Sequence, residues 1–153
     1  NADRHGYRAE NIALGAHEGE VEMFTETANQ GQSSSILKPA IHLTQYPHIV
    51  FNGKSLVRLT TLDKFMQDYG GTEYNFINMD VQGYEIEVLK GAKKTLDSID
   101  YIYTEVNRDE LYENCARVEE LDEHLRDYNF TRKDTSWEGG NWGDALYIKN
   151  EDL

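Results

Sequence analysis

Four polar side chains are spaced so that they could act together. Asp80 lies near the end of the apolar run Phe76–Val81, just before Gln82-Gly83, and Glu105 and Asn107 close a second β-rich run, Ile99–Val106. Glu85 follows Asp80 by five residues and precedes Leu89 by four, which puts its carboxylate on the core-facing side of the helix expected there. If the two runs are parallel strands of one sheet, their carboxyl ends share a rim, the place where open α/β sheets bind ligands. Carboxylates gathered there make a candidate polar site, and spacing alone reads as an α/β domain with a possible acidic site. Each residue also has a plainer reading. Asp80 can cap a helix, Glu85 can serve the free amides of the helix N-terminus, and Glu105 can pair with a nearby Arg or Lys.

The elements that must position these residues are legible from pattern. Phe76–Val81 reads as a buried strand, and Tyr84–Leu96 as a helix with Val88, Leu89, Ala92 and Leu96 on one face. Ile99–Val106 reads as a strand. Val118, Leu121, Leu125 and Tyr128 supply a second helical stripe, acidic early and with Arg126 late, as the helix dipole prefers. Phe130–Lys133 and Ala145–Ile148 read as two strands joined by a loop containing glycine and tryptophan. A helical crossover makes the first two strands parallel, and its absence makes the last two antiparallel. Residues 61–153 therefore read as a βαβαββ core of an α/β layered domain.

Residues 1–60 are less regular. Ile12–Leu14 and Val21–Phe24 read as short strands with Glu18-Gly19 as turn material, and Asn29–Ser35 as a loop. Pro39 and Pro47 break up the segment after that loop. Asn52-Gly53 between His48–Phe51 and Leu56–Leu59 is a hairpin signal. A helix then carries Leu62, Phe65, Met66 and Tyr69, with Thr60 as cap, Asp63 as capping-box partner and Gly70-Gly71 as its end. No repeat or low-complexity linker divides the chain, so it is read as a single domain.

Composition excludes several classes. With 28 acidic against 15 basic residues, the formal charge of −13 argues against nucleic-acid and anionic-membrane partners, which require clustered Lys and Arg. No apolar run nears the length of a membrane span. Cys115 is the single cysteine, so a reducing, cytoplasmic setting is expected. The five histidines show no metal-ligand spacing, and no metal site is assigned. Neither a nucleophile elbow nor a phosphate-cradling glycine loop is present. Tyr84 and Tyr103 could line a pocket. Trp137 and Trp142 could grip a sugar or flat ligand, although packing of their loop onto the sheet is the simpler reading.

The stretch from Ile77 through Asp80-Val81-Gln82-Gly83-Tyr84-Glu85 to Val88-Leu89-Lys90-Gly91-Ala92 resembles the signature of the FkbM family of methyltransferases, roughly K-I-D-V-E-G-x-E-x-x-V-L-x-G-A. Thr61-Leu62-Asp63, Tyr103-Thr104-Glu105-Val106, Leu111-Tyr112 and Gly143-Asp144-Ala145-Leu146-Tyr147 extend the resemblance over roughly Asn11 to Ile148. Gln82 stands where the family more often has Glu, and Asn78 replaces a common Lys. The resemblance implies a Rossmann-like class I sheet of strand order 3-2-1-4-5-7-6, mostly parallel with a C-terminal antiparallel hairpin. It implies S-adenosylmethionine as cofactor, held in part by Asp80, Gln82 and Gly83. It further implies methylation of a hydroxyl on a sugar, glycan or polyketide-like acceptor, with Asp80 or Glu105 taking the proton. Glu85 and Asn107 then orient, and Asn107 and Tyr84 touch the acceptor.

The family's D-x-G-x-x-x-G stretch does not occur in the sequence, which reads as beginning just before the third strand. The sheet is therefore expected to be incomplete on its N-terminal side, and the 153 residues alone to be inactive. The Phe76–Val81 strand becomes a free edge, to be hidden by self-association or by re-docking of the N-terminal third. Two rival readings remain: a non-catalytic, methyltransferase-like binding or assembly module, and an α/β enzyme that uses the acidic cluster for a divalent metal.

Overall fold

The strand Tyr101–Asn107 (β5) organises the molecule. Ile102, Thr104 and Val106 point one way, and Tyr101, Tyr103, Glu105 and Asn107 the other, as the two-residue period of a strand requires. In this computed structural model, which describes residues 9–69 and 74–150, the first set faces the main core. β5 pairs in parallel with Phe76–Met79 (β4) and antiparallel with Trp142–Lys149 (β7), and β7 pairs antiparallel with Phe130–Glu138 (β6). The sheet order is β4-β5-β7-β6. Helices Glu85–Lys90 (α3) and Val118–Arg126 (α4) supply Val88, Leu89, Val118, Leu121 and Leu125 to the core, beside Met79, Ile102 and Tyr147.

The N-terminal third forms a second sheet. Ala13–Leu14 (β1) lies parallel to Phe51–Thr60 (β3), and Gly19–Glu26 (β2) lies antiparallel to β3, in the order β1-β3-β2. Between β2 and β3 a turn-rich loop leads to the single-turn helix His42–Gln45 (α1), and Leu62–Tyr69 (α2) follows β3.

The architecture is α/β with mixed sheets, and several expectations change. The sheets are not mostly parallel, because three of the five strand pairings are antiparallel. Asn52-Gly53 forms no hairpin. Both residues lie inside the ten-residue β3, where the neighbouring β2 extends the ladder and a turn would break it. Thr61 Oγ1, not Thr60, accepts the Lys64 N–H at the start of α2. Asp63 turns away from that helix to accept from the Lys94 and Thr95 amides and the Thr95 hydroxyl. The Tyr84–Leu96 helix stops at Lys90 and resumes as a 3-10 turn, Thr95–Ser98. Gly70-Gly71, expected to end α2, lies outside the described residues. The N-terminal third does not re-dock onto the free edge of β4: among the described residues β4 pairs only with β5.

Candidate active site

The site lies where β4 and β5 end. After Met79 the chain turns through Asp80–Tyr84, with Gln82 and Gly83 both at positive φ (54° and 95°). Glu85, in the first turn of α3, fixes this turn. Its Oε1 accepts the Val81 and Gly83 N–H groups at 3.2 and 3.1 Å. Gly83 is required twice over: a Cβ there would lie 2.9 Å from Cys115 Cβ, on backbone that L side chains resist. The turn aims the Gln82 amide between two carboxylates. Its Nε2 donates to Asp80 Oδ1 at 2.6 Å and to Glu105 Oε2 at 2.8 Å.

The loop from the N-terminal third closes over this group. Glu26, itself buried, accepts the Asn29 and Ser33 N–H groups and shapes the loop. Ser35 then donates to the Gln82 carbonyl at 2.7 Å. The buried Tyr112 hydroxyl lies 3.0 Å from the Ser33 carbonyl and 2.8 Å from Gln82 Oε1. The Ala40 and His42 N–H groups donate to the Leu111 carbonyl, and that of Ile41 to Glu110, which anchors α1 alongside.

Two cavities result, and Asp80 lines both. The first, of about 230 Å³, also presents Gln82, Glu105, His42, Tyr46 and Trp142, with Asn29, Gln32 and Ser33 on the loop side. The second, of about 310 Å³, has largely apolar walls from Ile12, Leu14, Val57 and Val81, with Asn11 and Tyr84 as further lining. The sequence-selected carboxylates are thus brought together, but in unlike surroundings. Glu105 is 5 % exposed, and burial, then the charges of Glu85 and Asp80, push its pKa up to about 9. Glu105 therefore holds a proton at neutral pH. Burial raises Glu85 to about 7, against the opposing effect of the backbone amides it accepts.

Asn107 donates to Glu105 Oε1 at 3.4 Å, and its buried Oδ1 has no hydrogen-bond partner. Tyr84 lines the second cavity, and Gln82 the first. Tyr103 stands on the open face of β5 and bonds to Asp144. Trp142 lines the first cavity and donates from Nε1 to the Tyr46 hydroxyl at 2.9 Å, while Trp137 lies under the Arg108 guanidinium, 3.7 Å from its ring centroid. Sequence reasoning missed His42, Tyr46, Asn29 and Ser33. They come from the irregular third, where no periodicity marks a residue as inward-facing. Among the described residues no three His, Cys, Asp or Glu side chains are arranged to hold a metal ion, and no helix is long and apolar enough to cross a membrane.

Known proteins similar to this chain are methyltransferases. The chain is 41% identical over 81 residues to the 2-O-methyltransferase NoeI of Sinorhizobium fredii (strain NBRC 101917 / NGR234). The match takes in 53% of this chain and 33% of that protein, so the chain spans about a third of the relative's length. No solved structure matches it significantly. A family model described as the methyltransferase FkbM domain matches residues 1–131, and the chain belongs to that family.

Proposed function

We propose that this chain is part of an S-adenosylmethionine-dependent O-methyltransferase that methylates a hydroxyl of a sugar, glycan or polyketide-like small molecule. The carrying observation is the Gln82 amide that holds Asp80 and Glu105 together on the wall of a cavity. Methyl transfer to oxygen is a direct displacement, so the protein's work is to align the acceptor and accept its proton. Asp80 suits the proton-accepting role. Glu105, protonated at neutral pH, suits the role of a neutral partner that steadies the Asp80 carboxylate.

The residues present fit the methyl donor as well. The second cavity joins apolar walls to the Asp80 carboxylate, a combination suited to a flat, partly apolar molecule that bears a sulfonium cation. Asp80, Val81 and Tyr84 would hold it there, and when bound it supplies the electrophilic methyl group. The acceptor would occupy the first cavity, which shares Asp80 with the second. The matched relative's name, a 2-O-methyltransferase, supports oxygen as the methylated atom. The acidic surface supports small-molecule acceptors over nucleic acid.

The test is transfer of a labelled methyl group from S-adenosylmethionine to a panel of hydroxylated acceptors. It is run with the 153-residue chain and with the longest natural form of the protein. The longest form is expected to transfer the label to oxygen. Acceptor binding without transfer in that form would favour the non-catalytic module instead.

A further inference from the structure

Tyr112 takes no direct part in the proposed chemistry, because it is fully buried and lines neither cavity. Its hydroxyl nevertheless reaches the side chain that joins the two carboxylates. It lies 2.8 Å from Gln82 Oε1 and 3.0 Å from the Ser33 carbonyl. Burial pushes its pKa far above the usual phenol range, so the hydroxyl keeps its hydrogen at any working pH. One hydrogen between two acceptors favours the nearer, the Gln82 amide oxygen. The ring that carries the hydroxyl is itself fixed. His42 and Phe51 pack against it with centroids 5.4 and 6.5 Å away, and a Cβ at Gly83 would come within 3.3 Å of it. The ring therefore bears on the same turn that presents Gln82.

Gln82 needs such a fixture. Its φ of 54° is one that residues other than glycine rarely adopt, and its side chain is long and only half-buried. On the carboxylate side the amide meets two groups of unlike character. Nε2 donates to both Asp80 and Glu105. Glu105, however, holds a proton of its own at neutral pH and also bonds to Asp80. A turned-over amide would accept the Glu105 proton at its oxygen. Asp80 would then lose its N–H donor and face an amide oxygen instead. The hydrogen donated by Tyr112 holds Oε1 on the far side and weighs against that arrangement.

Resting on the reading of Asp80 as the proton acceptor, we propose that Tyr112 is a positioning residue for the transfer step. By donating to the Gln82 oxygen it keeps both amide hydrogens on Asp80 and Glu105, and so steadies the Asp80 carboxylate beside the two cavities it lines. Its effect on the reaction passes through Gln82.

Two readouts on the longest natural form of the protein test this separately. The first needs no turnover. In protein labelled with nitrogen-15 glutamine, the two Gln82 Nε2 hydrogens, assigned by their loss in Gln82→Ala, are expected to exchange slowly with water. Tyr112→Phe keeps the buried ring and removes only the hydroxyl, and should speed that exchange about tenfold, the worth of one hydrogen bond. The second readout is a double-mutant cycle on labelled methyl transfer. Tyr112→Phe should lower kcat about tenfold with KM for donor and acceptor unchanged, and move the acid limb of the kcat/KM profile up by about one pH unit. In a Gln82→Ala background the same substitution should leave kcat within about twofold, because the residue it acts through is gone. Unaltered amide exchange in Tyr112→Phe, an unaltered kcat and acid limb, or the full loss in both backgrounds would each overturn the inference and leave the proposed function intact. If Tyr112→Phe fails to fold, 3-fluorotyrosine at position 112 decides the matter: the stronger donor should slow the Gln82 exchange further, and no change overturns the inference. Failure of the unsubstituted protein to methylate any hydroxyl would sink the proposed function instead, and with it the role in transfer, while the amide spectra would still show whether Tyr112 sets Gln82.

Discussion

Glu105 shares the Gln82 amide donor with Asp80, and burial, then the charges of Glu85 and Asp80, push its pKa up to about 9, which is open to measurement. Asp80→Asn removes the proton acceptor while keeping the shape, and should lower kcat at least about 100-fold, the lower bound of a general-base contribution. Glu105→Gln replaces a neutral carboxyl by a neutral amide and should cost clearly less. Steady-state kinetics of the two variants checks this; equal losses would mean that Glu105 is not protonated. The raised pKa also bears on stability. Native Glu105 keeps its proton up to about pH 9, whereas the unfolded chain releases it near its ordinary value of 4.5. Through that window the native state binds more protons than the unfolded state, so stability falls as pH rises. The fall is at most about 1.4 kcal/mol per pH unit. Glu85 adds to it only up to about pH 7. Urea denaturation at pH 7 and 8.5 should show the decline in the parent and a shallower one in Glu105→Gln. Identical slopes would refute the protonated assignment. The three carboxylates were legible as a group because parallel strands must end at one rim. Their roles were not, because Glu105 owes its burial to a loop whose sequence carries no periodic signal.

At the scale of elements, the helix that carries Glu85 is short for a reason that pattern could not reveal. Val88, Leu89, Ala92 and Leu96 follow one helical stripe and all are buried, yet the helix ends at Lys90. A Cβ at Gly91 would come within 2.1 Å of the Gly15 carbonyl oxygen, so the backbone just after α3 and the backbone just after β1 touch directly. The Gly91 carbonyl also accepts the Asp63 N–H at 3.0 Å, which ties α2 to the same point. Gly91→Ala should therefore destabilise the fold by about 1–3 kcal/mol, the usual cost of forcing an atom into a packed contact. Thermal melting checks it, and an unchanged midpoint would show that the two segments can separate. Tertiary contacts also explain the absent hairpin. Asn52-Gly53 favours a turn in isolation, but β2 pairs with β3 from Phe51 to Leu59, passing Asn52 at a bulge, and a ladder of tertiary hydrogen bonds outweighs one local preference. The strands around β5 and helix α4, with strong periods and packed faces, were readable to within a few residues.

At the scale of the molecule, the open side of the β4-β5-β7-β6 sheet is what remains unsatisfied. Phe76 and Tyr101 are cross-strand neighbours and are 51 % and 43 % exposed, with Tyr103 beside them on the same face. Among the described residues β4 has no partner on its outer side, so exposed aromatics adjoin a row of free backbone groups. Such an edge invites a second copy. Against this stands the formal charge of −13, which repels like chains at low salt but is screened within about 3 Å at 1 M. The 153-residue chain is therefore expected to associate more strongly as salt rises, opposite to what a contact made by ion pairs would do. Phe76→Glu with Asn78→Glu places like charges along β4 without touching the face that carries half-buried Ile77 and buried Met79, and should return the chain to a monomer. Sedimentation at low and high salt, with and without the two substitutions, decides it. A monomer at high protein concentration in 1 M salt would mean that the edge is tolerated as it stands.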